Sequence, residues 1–214
     1  MNFKAVMFDL DGTLADTLGD IAAAANHAFT VMGQPTQKLQ RFRYLAGQGL
    51  ERLFTDALPD LEHADVESYI APFRAYYADH SMDSSVLFPG IEALLDHINQ
   101  KGMKLAVLSN KPDGPTQLLC QKLMSPWDID VVLGHREPYP LKPDPTSALA
   151  ICKELDIAPK DWMYVGDTDV DMYTAKNAEM FAVGVLWGFR DEPELRKSGA
   201  NVIVSDAQQI IDLL

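Results

Sequence analysis

No run in the 214-residue chain approaches the ~20 consecutive apolar residues of a membrane-spanning helix. Residues 1 to 15 also lack the basic start and apolar stretch of a secretory leader, so we expect a cytoplasmic protein. Cysteine is scarce. Cys120 and Cys152 are the only two; each falls in an apparently helical stretch without the neighbours of a metal or redox motif, which predicts reduced core thiols. Positive charge is in short supply: 18 basic residues face 31 acidic ones, for a formal charge of −13. That balance disfavours nucleic acid and anionic membranes as partners, and a phosphorylated ligand must then be drawn in by local positive groups. Internal repeats and low-complexity tracts are missing as well.

What the chain does have is an ordinary apolar content of 47% and length enough for one large-cored domain, or a core with an insertion. Its opening is the most informative stretch. Lys4 to Phe8 reads as a short buried strand, and Asp9-Leu10-Asp11-Gly12-Thr13 follows where that strand must end. Residues two apart on extended backbone point to one side, so Asp9 and Asp11 can aim both carboxylates into one crevice. Gly12 permits the turn that follows. Crowded carboxylates repel, and a hard divalent cation, typically Mg²⁺, is the usual relief. The alternative is a helix start capped by Asp11 or Thr13.

Residues 16–85 read as helix throughout. Helices are expected from Asp16 to Gly33, from a Thr36 cap to Leu45, from Leu50 to Leu58 and from about Asp65 to Ala78, with Gly47-Gln48-Gly49 as a break. After Ser84 strands and helices alternate. Strands are predicted at 103–108, 130–133, 162–165, 181–185 and 201–204, and helices at 88–100, 115–124, 145–156, 170–178 and 207–213. Apolar strands without alternation imply a parallel sheet covered on both faces, which the first strand must join. The expectation is a doubly wound, mostly parallel, Rossmann-like α/β core (1–15 and 86–214) with an inserted helical cap (16–85).

In such sheets the ligand crevice lies at the carboxyl ends of the strands. One strand end delivers Ser109-Asn110-Lys111, donors suited to a phosphate oxygen or, equally, to an ordinary turn. A Pro-stiffened loop carries Lys142, placed to neutralise phosphate charge and shield a nucleophilic carboxylate. Another strand ends in Gly166-Asp167-Thr168-Asp169-Val170-Asp171. Capping explains one acid but not three, so Asp167 is expected to bind metal directly, with Asp171 behind it.

Taken in order, Asp9-x-Asp11-Gly12-Thr13, Ser109, Lys142 and Gly166-Asp167-x-x-x-Asp171 resemble the four motifs of the haloacid dehalogenase superfamily. The resemblance implies that Asp9 is a covalent nucleophile and that Asp11 is a general acid and base. It further implies phosphate contacts from Gly12, Thr13, Ser109, Asn110 and Lys142, and Mg²⁺ on Asp9, the Asp11 carbonyl and Asp167. Ser109-Asn110-Lys111-Pro112, Gly184 to Gly188 and Gly47-Gln48-Gly49-Leu50 look most like the phosphoglycolate phosphatase branch. Between Arg43 and Gln100 there is no lysine, which argues against the phosphonate-hydrolysing branch with its cap lysine. The expected activity is hydrolysis of a small phosphorylated metabolite, with 2-phosphoglycolate as the leading substrate, by a monomer or homodimer. Pyrophosphatase, sugar-phosphate phosphatase, phosphomutase and a non-catalytic phosphate-binding module are the alternatives. Arg43 and Arg52, which flank the Gly47–Gly49 turn, are the candidate contacts for an anionic leaving group.

Overall fold

The computed structural model describes residues 3–62 and 65–214. Two residues of the expected helical insertion, His63 and Ala64, lie outside the described residues. Strand β1 (Ala5–Phe8) is buried at every position and has a parallel neighbour on each side. A strand so placed must be apolar on both faces, and its sequence is. Val6 and Phe8 enter one hydrophobic cluster while Ala5 and Met7 enter another, as the two-residue period of a strand requires.

The remaining strands in chain order are β2 (Ala15–Asp16), β3 (Val86–Leu87), β4 (Lys104–Pro112), β5 (Val131–His135), β6 (Trp162–Gly166), β7 (Phe181–Val185) and β8 (Val202–Val204). Five of them join β1 in one all-parallel sheet in the order β5-β4-β1-β6-β7-β8. The chain runs outward from β1 through β4 to β5, then returns to the other side of β1 at β6, so the carboxyl end of β1 lies at the reversal of strand order.

The helices are α1 (Leu18–Val31), α2 (Leu39–Leu45), α3 (Leu50–Ala57), α4 (Glu67–His80), α5 (Ile91–Gln100), α6 (Asp113–Leu123), α7 (Thr146–Glu154), α8 (Asp169–Asn177), α9 (Glu192–Ser198) and α10 (Ala207–Leu213). Buried residues of α5, α6 and α10 cover one face of the sheet, and those of α7, α8 and α9 cover the other. This is the expected doubly wound α/β arrangement. Helices α1 to α4 gather about a third cluster, in which Phe29, Phe54, Tyr69 and Phe73 meet largely edge to face. Among the described residues no helix is long and apolar enough to cross a membrane.

The chain leaves for these four helices and returns along β2 and β3, which pair antiparallel. Asp20, buried in the first turn of α1, accepts hydrogen bonds from the backbone N–H and hydroxyl groups of both Ser84 and Ser85 on the return. Both crossings are thereby tied at one carboxylate.

Three local expectations need correction. Thr36 caps no helix; Asn26 holds Gln37 in an extended link through two side-chain hydrogen bonds, and α2 starts after Lys38. Strand β4 continues past Leu108 to Pro112 through an irregular step in its pairing with β5. Helix α9 was not expected at all: Asp191 caps it and Gly199 closes it at φ +107, but its single buried apolar residue, Leu195, gives no readable periodicity.

Candidate active site

Asp9 extends β1 by one residue, its N–H donating to Val165 O at 2.9 Å. The chain then folds over Leu10, whose carbonyl accepts from Leu14 and Ala15. The turn passes through Gly12 at φ +86, and a Cβ there would stand 2.4 Å from an Asp167 carboxylate oxygen. A Cβ added at Gly188, after β7, would collide with the same Asp167 side chain. Glycine at both positions lets the backbone close around Asp167.

Lys142 is buried with three acceptors around its ammonium: Asp171 Oδ1 at 2.7 Å, Asp9 Oδ1 at 3.0 Å and Leu108 O at 3.1 Å. Burial alone would lower its pKa, but the Asp171 and Asp9 carboxylates outweigh that and hold it well above the usual value. Asp9 moves the other way. Burial raises its pKa to about 7, against the opposing pull of Lys142 and with help from the Asp171 and Asp11 charges. Asp167, fully buried, is raised by burial and then by Asp171 and Asp9.

Asp9, Asp167 and Asp171 each bring a carboxylate oxygen within 4.8 Å of the others. Their hydrogen bonds distinguish them. Asp171 is committed at both ends, Oδ1 to Lys142 and Oδ2 to the N–H and hydroxyl of Thr168 in a capping box at the start of α8. Asp167 accepts one bond per oxygen, from Thr13 Oγ1 at 2.9 Å and Phe189 N at 2.7 Å, which leaves each oxygen a free lone pair. Asp9 Oδ1 is buried and, among the described residues, has no aligned hydrogen-bond donor despite the nearby ammonium. Three buried carboxylates beside one lysine leave a deficit of positive charge. An all-oxygen donor set with spare lone pairs suits a hard divalent cation, with Asp9 and Asp167 as its side-chain ligands.

Asp11 has different partners. Its Oδ1 accepts from Thr17 Oγ1 at 2.6 Å, and its two oxygens lie 3.0 and 3.2 Å from Lys111 Nζ. The Lys111 side chain is buried, and although burial works against it, Asp11 keeps its pKa above the ordinary value. Tyr77 of α4 covers the same ammonium, 4.7 Å from its ring centroid.

The other expected phosphate contacts are close by but partly engaged. Ser109 Oγ accepts from Lys111 N at 3.2 Å. The Asn110 amide bridges loops: its Oδ1 accepts from Lys142 N at 2.7 Å, while its Nδ2 donates to Gly47 O and Lys142 O. Thr13 spends its hydroxyl on Asp167, and Gly12 N–H donates to Ala15 O.

A cavity of about 430 Å³ opens over Asp9 and Asp11, with Ser109, Asn110 and Lys111 on its lining and α1, α3 and α4 supplying its far wall. Arg43 and Arg52 do not line it. The Arg43 guanidinium reaches away to the carbonyls of Gly188 and Phe189, and Arg52 pairs with Asp56 one turn along α3 in solvent. Position beside the glycine turn did not reveal side-chain direction. Lys111 could have been read more fully from the sequence, because it stands two residues beyond Ser109 on a strand; Tyr77 left no such signal. Both cysteines are buried free thiols, with Cys120 pushed up to about 12 and Cys152 to about 11 by burial.

Residues 6–185 match the family model described as haloacid dehalogenase-like hydrolase. Among curated relatives, a phosphoglycolate phosphatase of Pseudomonas putida is 30% identical across 97% of this chain and 78% of its own length. One from Pasteurella multocida is 29% identical across 99% of this chain and 98% of its own. A crystal structure from Lactobacillus delbrueckii subsp. bulgaricus, of a protein provisionally named a phosphoglycolate phosphatase, superposes with a TM-score of 0.93. It is 33% identical and covers 100% of this chain and 98% of its own.

Proposed function

Because the chain belongs to the haloacid dehalogenase-like hydrolase family and is a phosphoric monoester hydrolase, we propose that it hydrolyses a small phosphomonoester through a phosphoaspartate on Asp9, with Mg²⁺ as cofactor. The observation that carries this reading is the buried Asp9 at the end of β1, ion-paired to Lys142 and open to the cavity. Lys142 neutralises Asp9 enough for a dianionic phosphate to approach, and Asp171 holds Lys142 in place. An Asp9 oxygen attacks phosphorus as the ester P–O bond breaks, and the leaving oxygen takes a proton from Asp11. Asp11 then removes a proton from water, which attacks the phosphoaspartate and releases inorganic phosphate and free Asp9. Mg²⁺ on Asp9, the Asp11 carbonyl and Asp167 would stabilise charge on the transferring phosphoryl oxygens. Ser109 and backbone N–H groups near Asn110 orient the phosphoryl group.

Residues 16–85 act in this reading as a cap that closes over the core, 1–15 and 86–214, and excludes bulky phosphoproteins. The enzyme works in the cytoplasm on a soluble metabolite, as a monomer or homodimer. The names of the relatives make 2-phosphoglycolate the first substrate to assay. The test is phosphate release from a panel of small phosphate compounds with Mg²⁺. Preference for pyrophosphate or a hexose phosphate would replace the substrate but keep the mechanism; transfer of phosphate back to a sugar would indicate a mutase; no turnover by folded protein would leave a phosphate-binding module.

A further inference from the structure

The reaction scheme leaves Lys111 and Tyr77 without a task. Lys111 Nζ contacts both oxygens of Asp11, at 3.0 and 3.2 Å, and retains hydrogen-bonding capacity in its third N–H. Tyr77 descends from α4 and is 4% exposed, and its hydroxyl is buried without a hydrogen-bond partner among the described residues. A buried phenol normally finds one. Both residues line the cavity over Asp9 and Asp11. The other cation on that lining, Arg74, is 59% exposed in its side chain and pairs with Glu67. Leu50, Leu53, Phe73 and Leu118 make much of the remaining wall apolar, and its other polar side chains, Ser81, Ser109 and Asn110, carry no charge.

Asp11 protonates the ester oxygen in the reading above, so the first carbon of the leaving group sits beside Asp11. A carboxylate on that carbon falls within reach of a cation that itself touches Asp11. We propose that Lys111 and Tyr77 form the subsite for this carboxylate, so that the substrates are phosphate esters of 2-hydroxy carboxylic acids. The proposal rests on the phosphatase reading of the same site. Lys111 supplies charge, the Tyr77 hydroxyl supplies a hydrogen bond, and the carboxylate satisfies the phenol. A sugar phosphate would instead set several hydroxyls against a largely apolar wall with few groups to pair them, a basis for rejection.

The test compares two esters of equal length, 2-phosphoglycolate and ethyl phosphate, in wild type, Tyr77→Phe and Lys111→Met, each checked for native melting. The readout is the ratio of kcat/KM for 2-phosphoglycolate to that for ethyl phosphate. It should fall by about tenfold or more in Tyr77→Phe, the size of one hydrogen bond to a charged group, and further in Lys111→Met. Glycolate should likewise inhibit ethyl phosphate hydrolysis competitively in wild type and about tenfold more weakly in Tyr77→Phe, a comparison that stands even if Lys111→Met fails to fold. Phosphate release by wild type with a ratio and an inhibition constant unmoved by Tyr77→Phe overturns the subsite alone. Release from neither ester but from pyrophosphate or a hexose phosphate overturns the subsite and leaves the phosphatase reading, whereas release from none of these compounds by folded protein overturns both.

Discussion

Two lysines are buried at the end of β1, and they are balanced differently. Lys142 lies against Asp9 and Asp171, with the third buried carboxylate of Asp167 within the same cluster. Lys111 has Asp11 as its one carboxylate partner among the described residues and lies against the ring of Tyr77. The first group is short of positive charge and the second is matched one to one. Asp9 and Asp167 accordingly have raised pKa values, burial being the main cause. The same residue type therefore serves two ends: in one place it leaves carboxylate charge unmatched, and in the other it pairs a single carboxylate on the lining of the cavity.

The most severe way to break the Lys142 side is Asp9→Asn, which keeps shape and removes the nucleophile's charge. Turnover should be lost, while thermal unfolding and circular dichroism show a folded protein. Lys142→Ala should lower kcat/KM by about 10²–10³-fold, equivalent to ~3–4 kcal/mol for a donor to transferring charge. It should also destabilise the fold, because Asp171 and Asp9 lose their buried counter-ion. A parallel Lys160→Ala change, in the exposed turn before β6, should leave both within experimental error. Equal small effects at the two lysines would remove the distinction drawn for Lys142.

Titration sharpens the comparison. Asp9 holds a proton in the metal-free folded state up to about pH 7 but loses it near 3.8 when unfolded. The folded state therefore binds more protons between those values, and its contribution to stability falls as pH rises through that window. In EDTA, the melting-temperature difference between pH 5 and pH 8 should be shifted toward pH 5 in wild type relative to Asp9→Asn. Mg²⁺ should raise the wild-type melting temperature more at pH 8 than at pH 5, because binding displaces that proton. A Mg²⁺ effect independent of pH, or larger at pH 5, would contradict the charge deficit. Asp11→Asn probes the other lysine. Its activity loss should be smaller for aryl phosphates, whose leaving groups need little protonation, than for alkyl phosphates, as measured by kcat on matched esters.

The Lys142 side was legible in the sequence because each of its parts is local: a carboxylate one step past a buried strand, a lysine in a proline-stiffened loop, an acid-rich turn before a helix. The parallel sheet was legible for the same reason, since buried strands carry apolar runs whatever their partners. The sequence places Asp171 behind Asp167, and in the structure both Asp171 oxygens are occupied, by Lys142 and by the Thr168 capping box. The Lys111 side was harder to read. Tyr77 reaches Lys111 only through the packing of α4 over the core, and Arg43 and Arg52, close to the cavity in sequence, turn away from it. Helix α9 escaped because its caps carry the signal and its buried face is a single leucine.

The central claim is that Asp9 carries the phosphoryl group. Rapid acid quench of Mg²⁺-saturated enzyme during turnover, followed by peptide mass analysis, tests it most directly. The account predicts one added phosphoryl group on the peptide containing Asp9, with greater accumulation in Asp11→Asn, where water activation is slowed, and none in Asp9→Asn. Turnover with Asp9 unmodified at every quench time, together with activity retained in Asp9→Asn, would contradict it.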